Sequence, residues 1–218
     1  MVIPIRDENP TTRFPVGTIA LIVTNLFVYF AIQMPKGDTE GQAFIYEYAA
    51  IPCEIETGHP LTIAQIQTGQ CDVDGLAQAD TSPEAFPDKN VWLAVLFSMF
   101  MQGSILHVLG NMLFLWIFGN NVEDRLGSIA YAIVYLVTGF AAAATHIGLN
   151  LDSVVPVIGA SGAIAGVMGA YIVLFPRATV AAIIGFIFIP IPVPAWLMIG
   201  LWFVGQAFYG IASLGVDA

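Results

Sequence analysis

The 218-residue sequence has little charge, and very little of it is positive. Only 10% of its residues are charged, and six Lys plus Arg stand against sixteen Asp plus Glu, a formal net charge of −10. A soluble globular domain has about 25% charged residues, so an ordinary water-soluble fold is excluded. Nucleic-acid binding is disfavoured because an acidic surface repels phosphates. The sequence contains no H-E-x-x-H motif, and neither a metal nor a cofactor is expected.

Apolar residues are abundant, at 57% of the chain with a mean hydropathy of +0.80. A membrane-spanning helix needs about 20 mostly apolar residues, and several such runs predict an all-α polytopic membrane protein. Five spans are expected, at 14–34, 104–120, 128–149, 159–175 and 178–213. The last should have a bent lead-in, because Pro190, Pro192 and Pro194 forbid a regular helix there.

The segments between the spans predict an orientation. Residues 35–103 form a long loop that ends in an interfacial helix, and residues 35–90, the acidic loop, hold ten of the sixteen acidic residues. Four arginines flank the spans on the opposite side, and short flanks rich in Lys and Arg favour the cytoplasm. Residues 1–13 are therefore expected to be cytoplasmic and the acidic loop external.

Both cysteines, Cys53 and Cys71, fall in the acidic loop. Thiols outside the cytoplasm usually oxidise, and closing a loop of this length stabilises a protein by about 3 kcal/mol in the chain-entropy model. We therefore expect a disulfide, with two unpaired thiols as the alternative.

A serine lies at the start of the fourth span, in Gly159-Ala160-Ser161-Gly162. A hydroxyl at a helix N-terminus lies beside unpaired N–H groups and the positive end of the helix dipole, where an oxyanion is stabilised. Gly159 and Gly162 would let a substrate approach closely. The alternative is structural, because serine often caps helices and Gly162-x-x-x-Gly166 is a helix-packing pattern.

A second polar pair, His107 and Asn111, lies in the outer half of the second span. Residues four apart share one helix face, and two donors that face a serine hydroxyl would stabilise a tetrahedral oxyanion. Interhelical hydrogen bonding is the alternative role. Together with Ser161, the pair favours acyl-transfer chemistry.

These motifs, in this order, resemble the rhomboid family of intramembrane serine proteases, in particular a bacterial branch with a long first loop. Glu123-Asp124-Arg125-Leu126-Gly127 after the second span adds to the likeness. The resemblance implies that Ser161 is the nucleophile, and that His107, Asn111 and the Ser161 N–H form the oxyanion hole. It further implies transmembrane proteins as substrates, cleaved near the outer end of their helices, and a site on the external face of a bacterial plasma membrane.

One part of the family's machinery is not in the sequence. Rhomboids take their general base from a histidine on a sixth span, and residues 214–218 are interpreted as the truncated connection to it. His146 is more typical of an interfacial residue than of a substitute base. A stripe of small residues that includes Gly162, Gly166 and Gly169 is expected to receive the sixth span, and we expect the sequence to be a piece of a longer protein.

Two alternatives remain for the function. The first is a catalytically silent rhomboid-like protein that binds transmembrane helices, which the missing histidine favours. The second is a small transporter, which is disfavoured because no paired broken helices in two matching halves are visible. A smaller departure from the family is Gln102, where many relatives have histidine, and it is interpreted as part of a lipid-facing lead-in.

Overall fold

The computed structural model describes residues 2–71, 82–184 and 187–214. Most of these residues are helical. The helices are α1 (Val16–Phe27), α2 (Gly37–Tyr48), α3 (Pro52–Thr57), α4 (Ile63–Thr68), α5 (Val91–Ser98), α6 (Ile105–Leu126), α7 (Ser128–Leu149), α8 (Ser161–Leu174) and α9 (Ala195–Leu214). The strands are β1 (Val2–Asp7), β2 (Thr179–Ile184) and β3 (Ile187–Pro194).

Three helical stretches of the described chain are long and apolar enough to cross a membrane: Val16–Tyr48, Ile105–Leu126 and Ser128–Leu149. Two apolar helices are shorter, Ser161–Leu174 and the described start of α9, Ala195–Gln206. The first stretch is longer than the expected span at 14–34, because a π-helical turn and a 3-10 turn join α1 to α2. The start of the acidic loop is therefore helical.

The strictly all-α prediction was wrong, because the chain also forms a three-stranded antiparallel sheet in the order β1-β2-β3. The segment expected to be a bent lead-in, 178–194, contains the hairpin of β2 and β3. Proline has no N–H to donate, so it is tolerated on an edge strand. In β3, an edge strand, Pro190, Pro192 and Pro194 alternate, which places their nitrogens on the unpaired side.

A buried carboxylate holds the first helix against the bundle. Glu123, near the end of α6, is 3% exposed and accepts hydrogen bonds from the backbone N–H groups of Gly17 and Thr18, both at 2.7 Å. These donors belong to the first turn of α1, where N–H groups have no partner within the helix and the dipole favours an anion. Ser128 donates to the same carboxylate at 2.6 Å, which links the start of α7 to this cap.

Small residues bring α7 and α8 into close contact. A Cβ on Gly162 would lie 2.5 Å from the Cβ of Ala142, and a Cβ on Gly166 would overlap the side chain of Thr138. The expectation that both glycines receive a sixth span was therefore wrong, because α7 already occupies that face. Gly169, by contrast, has no neighbour within 4 Å of the position of a Cβ.

The acidic loop has its own small core of Ile51, Cys53, Leu61 and Val154, and Cys53 forms a disulfide with Cys71.

An ion pair of 2.5 Å joins Lys89 Nζ to Glu54 Oε2, with both side chains at most 2% exposed. Burial raises the pKa of Glu54 and lowers that of Lys89, because desolvation penalises both charged forms, and the pairing opposes both shifts.

We expect Glu54→Gln to destabilise the acidic loop by about 3–5 kcal/mol, because it leaves the Lys89 ammonium buried without a counter-charge. Adding Lys89→Met should restore most of the loss, since glutamine can still accept from the Leu61 N–H that Glu54 now binds. Hydrogen exchange of the loop amides in detergent measures both effects. A Glu54→Gln variant with unchanged exchange would contradict the account.

We also expect Gly166→Ala to lower the free energy of unfolding by about 1–3 kcal/mol, because the added methyl overpacks the contact with Thr138. Gly169→Ala, one turn along the same helix, is the matched control and should be neutral or slightly stabilising, since alanine favours helix. Thermal unfolding of this chain in detergent compares the two. Equal effects would show that α7 and α8 do not pack at Gly166.

Candidate active site

Ser161 is the first residue of α8 and is partly buried. The chain reaches it through Gly159, whose φ of +131° is a conformation that residues with a side chain rarely adopt. The first N–H groups of a helix have no partner within it. The Ser161 hydroxyl therefore lies at a helix end that offers backbone donors.

His107 lies in the first turn of α6, which begins at the same end of the bundle. Ser104 caps this helix by accepting a hydrogen bond from the His107 N–H at 3.1 Å. The imidazole Nδ1 accepts from the backbone N–H of Gly103 at 3.4 Å. Because a neutral imidazole has one donor and one acceptor nitrogen, Nε2 carries the proton and acts as a hydrogen-bond donor.

The structure brings Ser161 and His107 together at Gly159. The position that a Cβ on Gly159 would occupy is 3.5 Å from Ser161 Oγ, 3.4 Å from His107 Nε2 and 3.1 Å from His107 Cε1. The hydroxyl and the imidazole thus share the space that the missing side chain leaves open. Any larger residue at Gly159 would contact both groups.

Asn111 is one turn further along α6, on the same face as His107. It is 8% exposed, and its Nδ2 donates to Gln102 Oε1 at 2.8 Å. A side-chain amide has two N–H donors, so this bond commits one of them.

A cavity of about 430 Å³ opens beside Ser161. Small residues of α7 form part of its wall, namely Gly139, Ala142 and Ala143. His146, an exposed residue at the end of α7, lines it as well. Ser161 itself lines this cavity, which is large enough to hold several side chains.

The segment that leads to Ser161 is held by the acidic loop and by α5. Val157 N–H donates to Ala50 O at 2.8 Å, and Gly159 N–H donates to Ser98 O at 2.9 Å. Ala50 N–H in turn donates to Ser98 Oγ at 2.7 Å. These hydrogen bonds fix the path of the chain immediately before Ser161.

Sequence reasoning missed two residues of this arrangement. The Ser98 hydroxyl holds Ala50, which binds the segment before Gly159, and Gln102, interpreted as lipid-facing, is 2% exposed and binds Asn111. The available signal was the cost of a polar side chain within an apolar run, which favours an interior position with a hydrogen-bonding partner.

The family model of the Rhomboid domain matches residues 89–218, which include α5 to α9 and the residues His107, Asn111, Gly159 and Ser161. The chain belongs to the rhomboid family. Family membership and the three long apolar helices indicate an integral membrane protein.

Two curated relatives resemble this rhomboid. The protein named "Rhomboid protein 1, mitochondrial" of Saccharomyces cerevisiae is 33% identical over 109 residues, which are 48% of this chain and 30% of that protein. The protein named "RHOMBOID-like protein 6, mitochondrial" of Arabidopsis thaliana is 36% identical over 76 residues, which are 35% of this chain and 24% of that protein. The matched region spans less than a third of either relative. No solved structure is a significant match.

We expect Gly159→Ala to abolish the reactivity of Ser161 toward a fluorophosphonate probe, because the methyl would occupy the space between the hydroxyl and His107. Gly58→Ala is the control for backbone strain, since Gly58 also has a positive φ, +75°, but lies in the acidic loop with no atom within 4 Å of a Cβ. The rate of probe labelling is compared at equal amounts of folded full-length protein. Normal labelling of Gly159→Ala would show that this space is not part of the site.

Proposed function

We propose that this rhomboid is a serine endopeptidase that cleaves transmembrane proteins within the membrane. The observation that supports this most strongly is the approach of Ser161 Oγ and the His107 ring to one open position beside Gly159. A nucleophile and an oxyanion donor that face the same space are what acyl transfer requires.

In the proposed reaction, Ser161 Oγ attacks the carbonyl carbon of a peptide bond and loses its proton to a general base. The negative oxygen that forms accepts hydrogen bonds from His107 Nε2–H, the Ser161 N–H and the second N–H of Asn111. Cleavage of the C–N bond, with a proton delivered to the nitrogen, releases the amine and leaves an acyl-enzyme. Water then gives a proton to the general base and attacks the ester carbon, the bond from that carbon to Ser161 Oγ breaks, and the carboxylic acid leaves as Oγ regains a proton.

The rhomboid resemblance implies a general-base histidine other than the three in this sequence. His107 presents an N–H to the site, so it is a donor. His59 lies in the acidic loop, 3.8 Å from Glu84, and His146 is an exposed residue at the end of α7 that also lines the cavity. We assign the base to a histidine on a further span, as the rhomboid resemblance implies.

The rhomboid resemblance implies transmembrane proteins as substrates, and the position of Ser161 near the acidic loop supports this class. Ser161 begins an apolar helix close to the acidic loop, so a membrane-embedded substrate would present the part of its helix near that membrane surface. There the helix can unwind at low cost, because water is close enough to satisfy the freed backbone groups. The small side chains of Gly139, Ala142 and Ala143 leave room for the unwound peptide.

The orientation of the protein in the membrane, and the membrane in which it lies, are part of the same proposal. We place the acidic loop and Ser161 on the external side, and residues 1–13 in the cytoplasm, from the distribution of Lys and Arg. A bacterial plasma membrane stays a prediction, and the two curated relatives have mitochondrial names.

Labelling of the full-length protein with a fluorophosphonate tests the proposal. We expect labelling that Ser161→Ala abolishes, because the probe reacts only with an activated serine. Ser153→Ala is the control, since this serine is near in sequence but its Oγ accepts from the Val155 N–H at 3.2 Å, outside the cavity. Unlabelled protein from the same preparation should cleave a reconstituted transmembrane substrate, and labelling should abolish that cleavage.

Folded protein that takes up no label would contradict the proposal. It would favour the alternative of a catalytically silent rhomboid that binds transmembrane helices.

A further inference from the structure

Gln102 connects the first membrane helix to the helix that holds His107 and Asn111. It lies in the short segment between α5 and α6 and is 2% exposed. Its side-chain Nε2 donates to Asn25 Oδ1 of α1 at 2.9 Å, and its Oε1 accepts from Asn111 Nδ2 of α6 at 2.8 Å. Both ends of the amide are therefore engaged, each on a different helix.

The side-chain amides of Asn25, Gln102 and Asn111 form a chain of hydrogen bonds. The backbone oxygen of Leu21, which accepts from Asn25, fixes the orientation of all three. Asn25 Nδ2 donates to the backbone oxygen of Leu21 at 2.9 Å, and a carbonyl oxygen can only accept. Asn25 therefore turns its oxygen toward Gln102, and Gln102 turns its own oxygen toward Asn111. A flip of any one amide would place two donors or two acceptors face to face.

The consequence for Asn111 is a single orientation. One N–H of its NH₂ group donates to Gln102 Oε1, so the side chain of Asn111 cannot turn its carbonyl oxygen toward Gln102. The direction of its second N–H is therefore fixed as well. Asn111 is on the α6 face that His107 presents to Gly159. An amide held with its NH₂ group fixed is a better oxyanion donor than one that rotates, because the donor needs no reorganisation when charge develops.

We propose that Gln102 is a positioning residue for catalysis, which orients the Asn111 amide as an oxyanion donor from an anchor on α1. The inference rests on the proposed function. Gln102 is not a catalytic residue, because it acts through Asn111 and does not contact the reacting atoms.

Gln33 offers a control at the same junction. Its Oε1 accepts from the backbone N–H of Gln102 at 2.9 Å, and its Nε2 donates to the backbone oxygen of Gln102 at 3.3 Å. Gln33 thus supports the main chain at this point, whereas the contact with Asn111 is made by the side chain of Gln102. A change at Gln33 perturbs the local packing and leaves the amide chain in place.

The test is a double-mutant cycle on the full-length protein in liposomes, with a transmembrane substrate and with kcat and KM measured separately. Asn111→Ala should lower kcat by about 10²-fold, the usual loss of one oxyanion donor. Gln102→Leu should lower kcat by about tenfold with KM unchanged, because a donor that acts only in the transition state affects kcat alone.

In the Asn111→Ala background, Gln102→Leu should have no further effect on kcat, because residues that act through one group are not additive. Gln33→Ala should have the same effect in both backgrounds. Normalising to the amount of folded protein separates catalysis from stability.

Independent, multiplicative losses for Gln102→Leu and Asn111→Ala would overturn the proposal, as would an unchanged kcat in Gln102→Leu. Wild-type protein without activity and without labelling of Ser161 would instead contradict the proposed function, and the positioning role with it.

Discussion

The absence of a side chain at Gly159 is the constraint on which the candidate site depends. Its φ of +131° turns the chain into α8, and its missing Cβ leaves a space bounded by the Ser161 hydroxyl and the His107 ring. A hydroxyl, a helix N-terminus and an imidazole therefore meet beside Gly159, where we propose that the reacting carbonyl binds. The remaining features of the bundle serve to keep these groups in place.

Support for the site comes from three directions. The acidic loop and α5 bind the segment before Ser161 through Ala50 and Ser98, α7 packs against α8 through Gly166, and α1 reaches Asn111 through Gln102. Glu123 ties α1 to the other end of α6. In a membrane interior an unsatisfied polar group is costly, so these few hydrogen bonds hold the helices in one arrangement.

Hydropathy made the helices predictable, because an apolar run of membrane length is a local property of the sequence. The sheet was not predictable in this way, because β1 pairs with β2, a strand remote from it in sequence. The alternate prolines of β3 indicate by themselves only that a helix is interrupted there. Gln102 was misjudged for a related reason. An amide in an apolar run has its partners, Asn25 and Asn111, on other helices, and no local pattern shows them.

The most direct test is an experimental structure of the full-length protein after reaction with a small fluorophosphonate. The account predicts phosphorus bonded to Ser161 Oγ, with the phosphoryl oxygen within hydrogen-bond distance of His107 Nε2 and of the Ser161 N–H. An adduct on another residue, or a phosphoryl oxygen directed into lipid away from His107, would contradict it.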